Sequence, residues 1–288
     1  MITTTPTLPE ADFHYLSELM HERAAIVLEP GKEYLALSRL DPVAREAGVP
    51  SVSALVELLR GEEVSSALHE QVVDALTTNE TTFFRDFNPF ESLRTTVLPE
   101  LIERKRRSRN LTMWSAGCST GQEPYSLAMA IREHFPELLS WHLTILGTDI
   151  SASVLDRARR GRYGQLEVNR GLPANLLVRH FTRAGMEWEI EEPIRRMVRF
   201  QRQNLVDVWP VMPPFDLVLM RNVMIYFDVD TKRRVLRRLL GQLAPHGYLL
   251  LGASETTFNI SDDYDRHLIG RTAWYRPQRN DPVGGAGR

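Results

Sequence analysis

The stretch from Met113 to Ile131 reads MWSAGCSTGQEPYSLAMAI. An apolar run leads into Gly117 and Gly121, with Cys118, Ser119 and Thr120 between them, and Glu123 opens an apolar helical pattern. Glycine at a strand-to-helix turn lets the backbone take positive φ or approach a ligand closely. In an open α/β sheet, ligands bind beyond the carboxyl ends of the strands. Asp149 ends the next apolar run, LTILGTD, where a carboxylate can accept two hydrogen bonds from a ribose diol. The turn is not G-x-G-x-x-G and lacks the Lys-[ST] of a phosphate loop. A carboxylate at Glu123 would repel a pyrophosphate and attract an ammonium or a sulfonium centre, which points away from NAD and towards S-adenosylmethionine. Glu123 also reads as a first-turn acid favoured by the helix dipole, ahead of Pro124, and both readings stand at this point. Cys118 has no base partner nearby in the sequence and reads as a small filler of the turn rather than a nucleophile.

The elements that would position these residues come in two styles. From about Asp12 to Ala75 the pattern is helical. Phe13, Leu16, Met20, Ala24 and Val27 form one stripe, and Tyr34, Leu37 and Leu40 begin a second helix that Pro42 must restart or kink. Ser51 caps VSALVELLR, which Gly61 closes, and Val64, Leu68, Val72 and Ala75 give a fourth stripe. After LTTNETTFFRDFNPFESL, short apolar runs alternate with helical patterns: LTMWSA, LTILGTDI, FDLVLMRNVMIYF and GYLLLGASE. Strands buried on both faces and joined by helices make an open, mostly parallel α/β sheet, doubly wound. Between about 165 and 203 the rhythm breaks. MEWEI and MVRF read as short strands joined through Glu191-Glu192-Pro193, an antiparallel insert. The chain thus divides into a helical domain over 1–76, a linker over 77–90, an α/β domain over 91–277 with its insert, and a Pro/Gly-rich tail over 278–288 expected to be disordered.

Bulk properties narrow the function. The hydrophobic fraction is 43% and the charged fraction 25%, values of a soluble globular protein. The N-terminal MITTTPTLPEADF has neither a basic start nor an apolar core, and no apolar run could span a bilayer, so a cytoplasmic location is expected. One cysteine excludes an internal disulfide and a cysteine zinc site. A net charge of −2 argues against nucleic acid as the main partner. The basic ERKRRSR, Glu103 to Arg109, reads as a solvated helix end or, alternatively, a docking patch.

Taken together, TTNETTFFRD, WSAGCSTGQEPYSLAM, GTDIS, RFQRQNL and MRNVMIYFD resemble the CheR family of chemotaxis receptor methyltransferases, from about Phe13 to Tyr275. The resemblance implies an N-terminal helical domain, a Rossmann-like S-adenosylmethionine-dependent methyltransferase domain and a small antiparallel β-subdomain inserted in it. It implies methyl transfer to glutamate side chains of chemoreceptor cytoplasmic helices, without a metal. By the same resemblance, cofactor contacts fall on Asn79, Thr81 and Arg85, on Glu123, on Asp149, on Asn204 and Leu205, and on Arg221 and Asn222; Gly117 joins them from the reading of the glycine turn. Arg85 and Tyr226 fall near the reacting methyl. Read singly, Asn79 and Thr81 could be a cap or turn, Tyr226 core packing and Arg221 a surface ion pair. The family's receptor-reading basic face falls on Lys32, Arg39 and Arg45, interrupted by Asp41-Pro42. Some members also grip a receptor C-terminal peptide with the β-subdomain. An ionised glutamate attacking a sulfonium methyl needs no general base, which suits the lack of a His/Asp pair in the motifs. The competing reading is a non-catalytic module that binds S-adenosylmethionine or S-adenosylhomocysteine.

Overall fold

The structure, a computed structural model, describes residues 7–61 and 66–278. Four helices come first: α1 Glu10–Ala24, α2 Glu33–Glu46, α3 Val52–Arg60 and α4 Ala67–Leu76. Leu16, Met20, Leu40, Leu55 and Val72 are sealed in their common core. Ser51 and Ser66 cap α3 and α4 by accepting from the Ala54 and His69 amides, each worth roughly 1 kcal/mol. Pro42 neither starts a new turn nor ends the helix, because α2 continues through it. Val27 is not on the first stripe. Ala25 turns left-handed at φ 53° and ends α1, and exposed Val27 donates its amide to the Tyr226 carbonyl at 2.9 Å. Val64 lies outside the described residues, as does almost all of the tail over 278–288.

The connecting segment is pinned rather than loose. Phe83 is fully buried, edge-on to Tyr163 and Phe181. The Phe84 amide donates to Ser126 Oγ at 2.9 Å. Helix α5, Asn88–Ser92, runs through a π-turn at Leu93–Val97 into α6, Leu98–Lys105. The ERKRRSR cluster is the end of α6. Arg104 pairs with Glu100, Arg106 with Glu103, and Lys105 reaches the buried Asp216 carboxylate at 2.7 Å.

The remaining elements are β1 Asn110–Ala116, α7 Gln122–His134, β2 His142–Asp149, α8 Ala152–Arg160, β3 Arg162–Gly164, α9 Gln165–Asn169, α10 Ala174–His180, β4 Phe181–Ala184, β5 Glu187–Ile190, α11 Glu192–Arg195, β6 Val198–Arg202, β7 Phe215–Met220, α12 Val229–Gln242, β8 Leu243–Leu251, β9 Tyr264–Ile269 and β10 Thr272–Pro277. Seven strands form one sheet in the order β6-β2-β1-β7-β8-β10-β9. The first five are parallel, and β10 and β9 are antiparallel. All of β7 and all but the first residue of β1 are buried, as continuous apolar strands between two helix layers must be. The sheet grows outward from β1 through β2 to β6, then restarts at β7 on its other side. The chain therefore reverses direction across the sheet beside β1, and the carboxyl ends there open a crevice.

A three-stranded antiparallel sheet, β3-β5-β4, sits between α8 and α11 in the chain. MEWEI supplies β5, but MVRF does not pair with it. That run is β6, parallel to β2 from Ile145↔Val198 to Asp149↔Arg202 at the edge of the large sheet. One face of an edge strand is half open, so a parallel edge strand shows the same short alternation as a hairpin strand. Among the described residues no helix is long and apolar enough to cross a membrane.

Candidate active site

The carboxyl ends of β1, β2, β6 and β7 deliver Gly117, Asp149, Asn204 and Arg221 to one cleft. The segment after α4 closes it, together with the end of α1 and the 3-10 turn Met224–Tyr226. Asn79, Thr81, Arg85, Gly117, Glu123, Asp149, Asn204, Leu205, Arg221, Asn222 and Tyr226 all line this cleft. The structure thus brings together the eleven residues to which a cofactor or reaction role was assigned in the sequence, but not Gly121, Cys118, Lys32, Arg39 or Arg45.

The two turn glycines serve different ends. Gly117 sits at φ 72°, and a Cβ there would lie 2.4 Å from Val223 Cγ2. Gly121 sits at φ 92° beside Ala158, Phe200 and Tyr125. It does not line the cleft, so its small size lets α7 pack on α8 and β6 rather than admitting a ligand. Cys118 is buried, and burial pushes its thiol well above the ordinary range. A buried neutral thiol is a poor nucleophile, in keeping with a filler.

Glu123 is both a first-turn acid of α7 and part of a charged cluster. Its Oε1 accepts from Ser115 Oγ at 2.8 Å, and its Oε2 accepts from Arg221 Nη1 at 3.1 Å. Arg221, with a 2% exposed side chain, also donates to Asp86 Oδ2 at 2.6 Å and to the Arg85 carbonyl at 3.2 Å. It is therefore no surface ion pair. Two carboxylates against one guanidinium leave a single negative charge at the mouth of α7, so a cationic ligand group is still favoured there.

Asp149 is held for acceptance. Its Oδ2 takes the Ser119 amide at 2.8 Å and its Oδ1 the Ser151 amide at 3.0 Å. Burial raises its pKa, partly countered by the Ser151 and Ser119 amides. A carboxylate offers about four lone-pair sites, so acceptor capacity remains for a diol. Asn204 is more committed. Its Nδ2 donates to the Arg23 carbonyl at 2.7 Å and its Oδ1 accepts the Val206 amide at 3.2 Å, tying the cleft to the end of α1.

Three features were missed in the sequence. Gln203, 7% exposed, lines the cleft with neither amide atom partnered. Ala24 and Ile26 carry the helical domain into the cleft wall. Glu255, in GASE, accepts from the amides of Gly252 at 2.6 Å, Asn222 at 2.9 Å and Ile225 at 3.1 Å. Asn222 Oδ1 and Arg221 Nε are also buried and unpartnered. Buried polar atoms without partners cost roughly 1–3 kcal/mol each, so a polar ligand in this cleft would satisfy groups that the fold leaves open. The residues present fit an adenosine joined to a charged amino-acid tail.

An acceptor for a diol and a net-negative strand-to-helix turn fit the Rossmann-like S-adenosylmethionine-dependent methyltransferases. The family model described as "CheR methyltransferase, SAM binding domain" matches residues 79–271, and "CheR methyltransferase, all-alpha domain" matches residues 11–77. The chain belongs to the CheR methyltransferase family. It is 43% identical to chemotaxis protein methyltransferase 1 of Pseudomonas aeruginosa over 88% of this chain and 93% of that one. It is 40% identical to chemotaxis protein methyltransferase Cher2 of Pseudomonas putida, over 88% and 93%. It is 39% identical to the chemotaxis protein methyltransferase of Vibrio parahaemolyticus, over 91% and 95%.

Proposed function

We propose that this methyltransferase acts in the cytoplasm on chemoreceptors and esterifies glutamate side chains of their cytoplasmic helices. The observation that carries this reading is the convergence of Arg85, Tyr226, Glu123 and Arg221 on one cleft in a chain that matches both CheR domains. S-adenosylmethionine, when bound, supplies a sulfonium methyl group that needs no further activation. The residues to hold it are Asp149 for the ribose, Glu123 for the cationic tail, and Asn79, Thr81, Gly117, Asn204, Leu205, Arg221 and Asn222 around them.

The acceptor carboxylate, with a reference pKa of about 4.3, is ionised near neutral pH. The chain therefore has to position rather than deprotonate. Arg85 spends one N–H on the Glu80 carbonyl at 3.2 Å, and the rest of its fork is available to orient a carboxylate. Tyr226, half-buried on the 3-10 turn, presents its ring at the same mouth and orients the acceptor. Alignment of this kind is worth several kcal/mol of barrier, and partial exclusion of water adds to it.

The test is to incubate the protein with methyl-labelled S-adenosylmethionine and a chemoreceptor cytoplasmic fragment. Base-labile label on the fragment is expected, with Arg85→Ala lowering turnover by at least tenfold. Cofactor binding without transfer to any receptor fragment would overturn the reading.

A further inference from the structure

Of the cations expected to read an acidic receptor, Arg39 is committed to the fold. Arg39 donates to the carbonyls of Leu76 at 2.7 Å and Thr77 at 3.3 Å and to Thr78 Oγ1 at 3.1 Å, so it anchors the connecting segment. Arg45 pairs with Asp41, and Lys32 with Glu29. Those two pairs are exposed and weak, and positive charge beside the cleft would add to them for an acidic partner.

A second cavity of about 390 Å³ adjoins the cleft and shares Arg221 with it. Its wall includes Arg266 on β9, Arg271 in the β9–β10 turn, Thr272, and the carboxylates of Asp86 and Glu255. Both carboxylates are engaged: Asp86 by Arg221, and Glu255 by three backbone amides. Arg266 and Arg271 have no hydrogen-bond or ion-pair partner among the described residues. Thr272, 6% exposed, keeps its Oγ1 buried and without a partner. Three guanidinium groups against two carboxylates leave this cavity net positive, beside a cleft mouth that is net negative.

We infer that this cavity is a second-carboxylate subsite. It takes an acidic side chain of the same protein substrate whose glutamate enters the cleft, with Arg266 and Arg271 contacting the carboxylate and the Thr272 hydroxyl donating to it. The inference rests on the proposed receptor-glutamate reading and deepens it. The shared wall is what ties the occupant to the substrate: Arg221 lines both cavities, so a helical segment with one side chain in the cleft would carry a neighbouring acid towards the Arg266–Arg271 side. Arginine forks suit carboxylates in pairs, and a partly enclosed site weakens screening by salt.

The experiment compares the wild type with Arg266→Glu/Arg271→Glu and with the milder Arg266→Gln/Arg271→Gln, each as the full chain. Both pairs lie outside the cleft, so S-adenosylhomocysteine affinity and thermal midpoint should stay unchanged. KM for the receptor fragment should rise at least tenfold in the charge-reversed pair with kcat within twofold. A fluorescent acidic helical peptide, added to the protein saturated with S-adenosylhomocysteine, should lose at least tenfold in affinity in parallel. An unchanged KM and peptide affinity would overturn the subsite while leaving the methyltransferase reading intact. Absence of label on the fragment with the wild type, alongside peptide binding that needs the arginines, would sink the glutamate reading and keep an acidic-peptide site. Equal displacement of the peptide by millimolar inorganic phosphate would show a free-anion site and overturn the substrate assignment.

Discussion

The Glu255 carboxylate grips the amide of Asn222 at 2.9 Å from 33 residues further along the chain. The same carboxylate holds Ile225, so it fixes both ends of the turn that presents Asn222 and Tyr226 to the cleft. Asn222 is left-handed at φ 59°, a conformation asparagine enters more readily than most residues, and the Glu255 carboxylate holds its amide there. Glu255 thus positions the site without lining the cofactor cleft.

Removal of that support should be felt both in catalysis and in binding of the cofactor product, since the turn carries Asn222 as well as Tyr226. Glu255→Ala is expected to lower turnover by about tenfold or more, equivalent to about 1.4 kcal/mol of barrier, because three amides lose their acceptor. Glu255→Gln, which keeps one acceptor oxygen, should fall between. Steady-state kinetics with a receptor fragment, set against calorimetric S-adenosylhomocysteine affinity, checks this.

Arg221 is the hinge of the charged cluster. Arg221→Lys keeps the charge but cannot reach Glu123, Asp86 and the Arg85 carbonyl together, so affinity for S-adenosylhomocysteine should drop by about tenfold. Arg221→Ala leaves Glu123 without its cation and should destabilise the fold by about 3–5 kcal/mol. Calorimetry and urea unfolding separate the two effects.

Gly117→Ala should cost more than about 2 kcal/mol. It combines positive φ, worth roughly 1–2 kcal/mol against a non-glycine residue, with the 2.4 Å approach to Val223 Cγ2. Adding Val223→Ala removes the overlap but not the φ penalty, so the double variant should recover only part of the loss. Denaturant midpoints at constant slope give the comparison.

Asp228 joins the two domains through His21 at 3.0 Å and caps α12 by accepting the Thr231 amide at 2.7 Å. The hydrogen bond from His21, then that from Thr231, pull its carboxyl down to about 2. A depressed acid contributes stability that is complete above its unfolded pKa of about 3.9 and lost as pH falls through the folded value. The wild type should therefore lose part of its stability between about pH 4 and pH 2, and Asp228→Asn should show a smaller loss in that window. With the side chain 39% exposed, screening holds the ion-pair share below about 1 kcal/mol. Asp228→Ala also forfeits the cap, at roughly 1 kcal/mol.

Local pattern carried much of this in the sequence. Burial on both faces made LTMWSA and FDLVLM readable as parallel strands, and the Gly117 turn and Asp149 follow from what lies at strand ends. Long-range pairing was the part that local pattern could not reach. Glu123 looked like a free carboxylate because Arg221 lies 98 residues away. Glu255 drew no notice because its partners are backbone amides, which have no side-chain signature. MVRF looked like half of a hairpin because five residues of an edge strand carry no mark of parallel pairing. Arg39 looked like a receptor-facing cation, but its acceptors are carbonyls at the end of α4.

The Asn204–Arg23 and Val27–Tyr226 hydrogen bonds put the end of α1 into the wall of the cleft. The two family matches part between residues 77 and 79, and Thr77, Thr78 and Asn79 all line that same wall. The seam between the modules therefore runs through the cofactor cleft itself. A helical module transplanted from a relative would have to match the recipient at Ala24, Ile26 and Arg23 before the hybrid could hold its methyl donor.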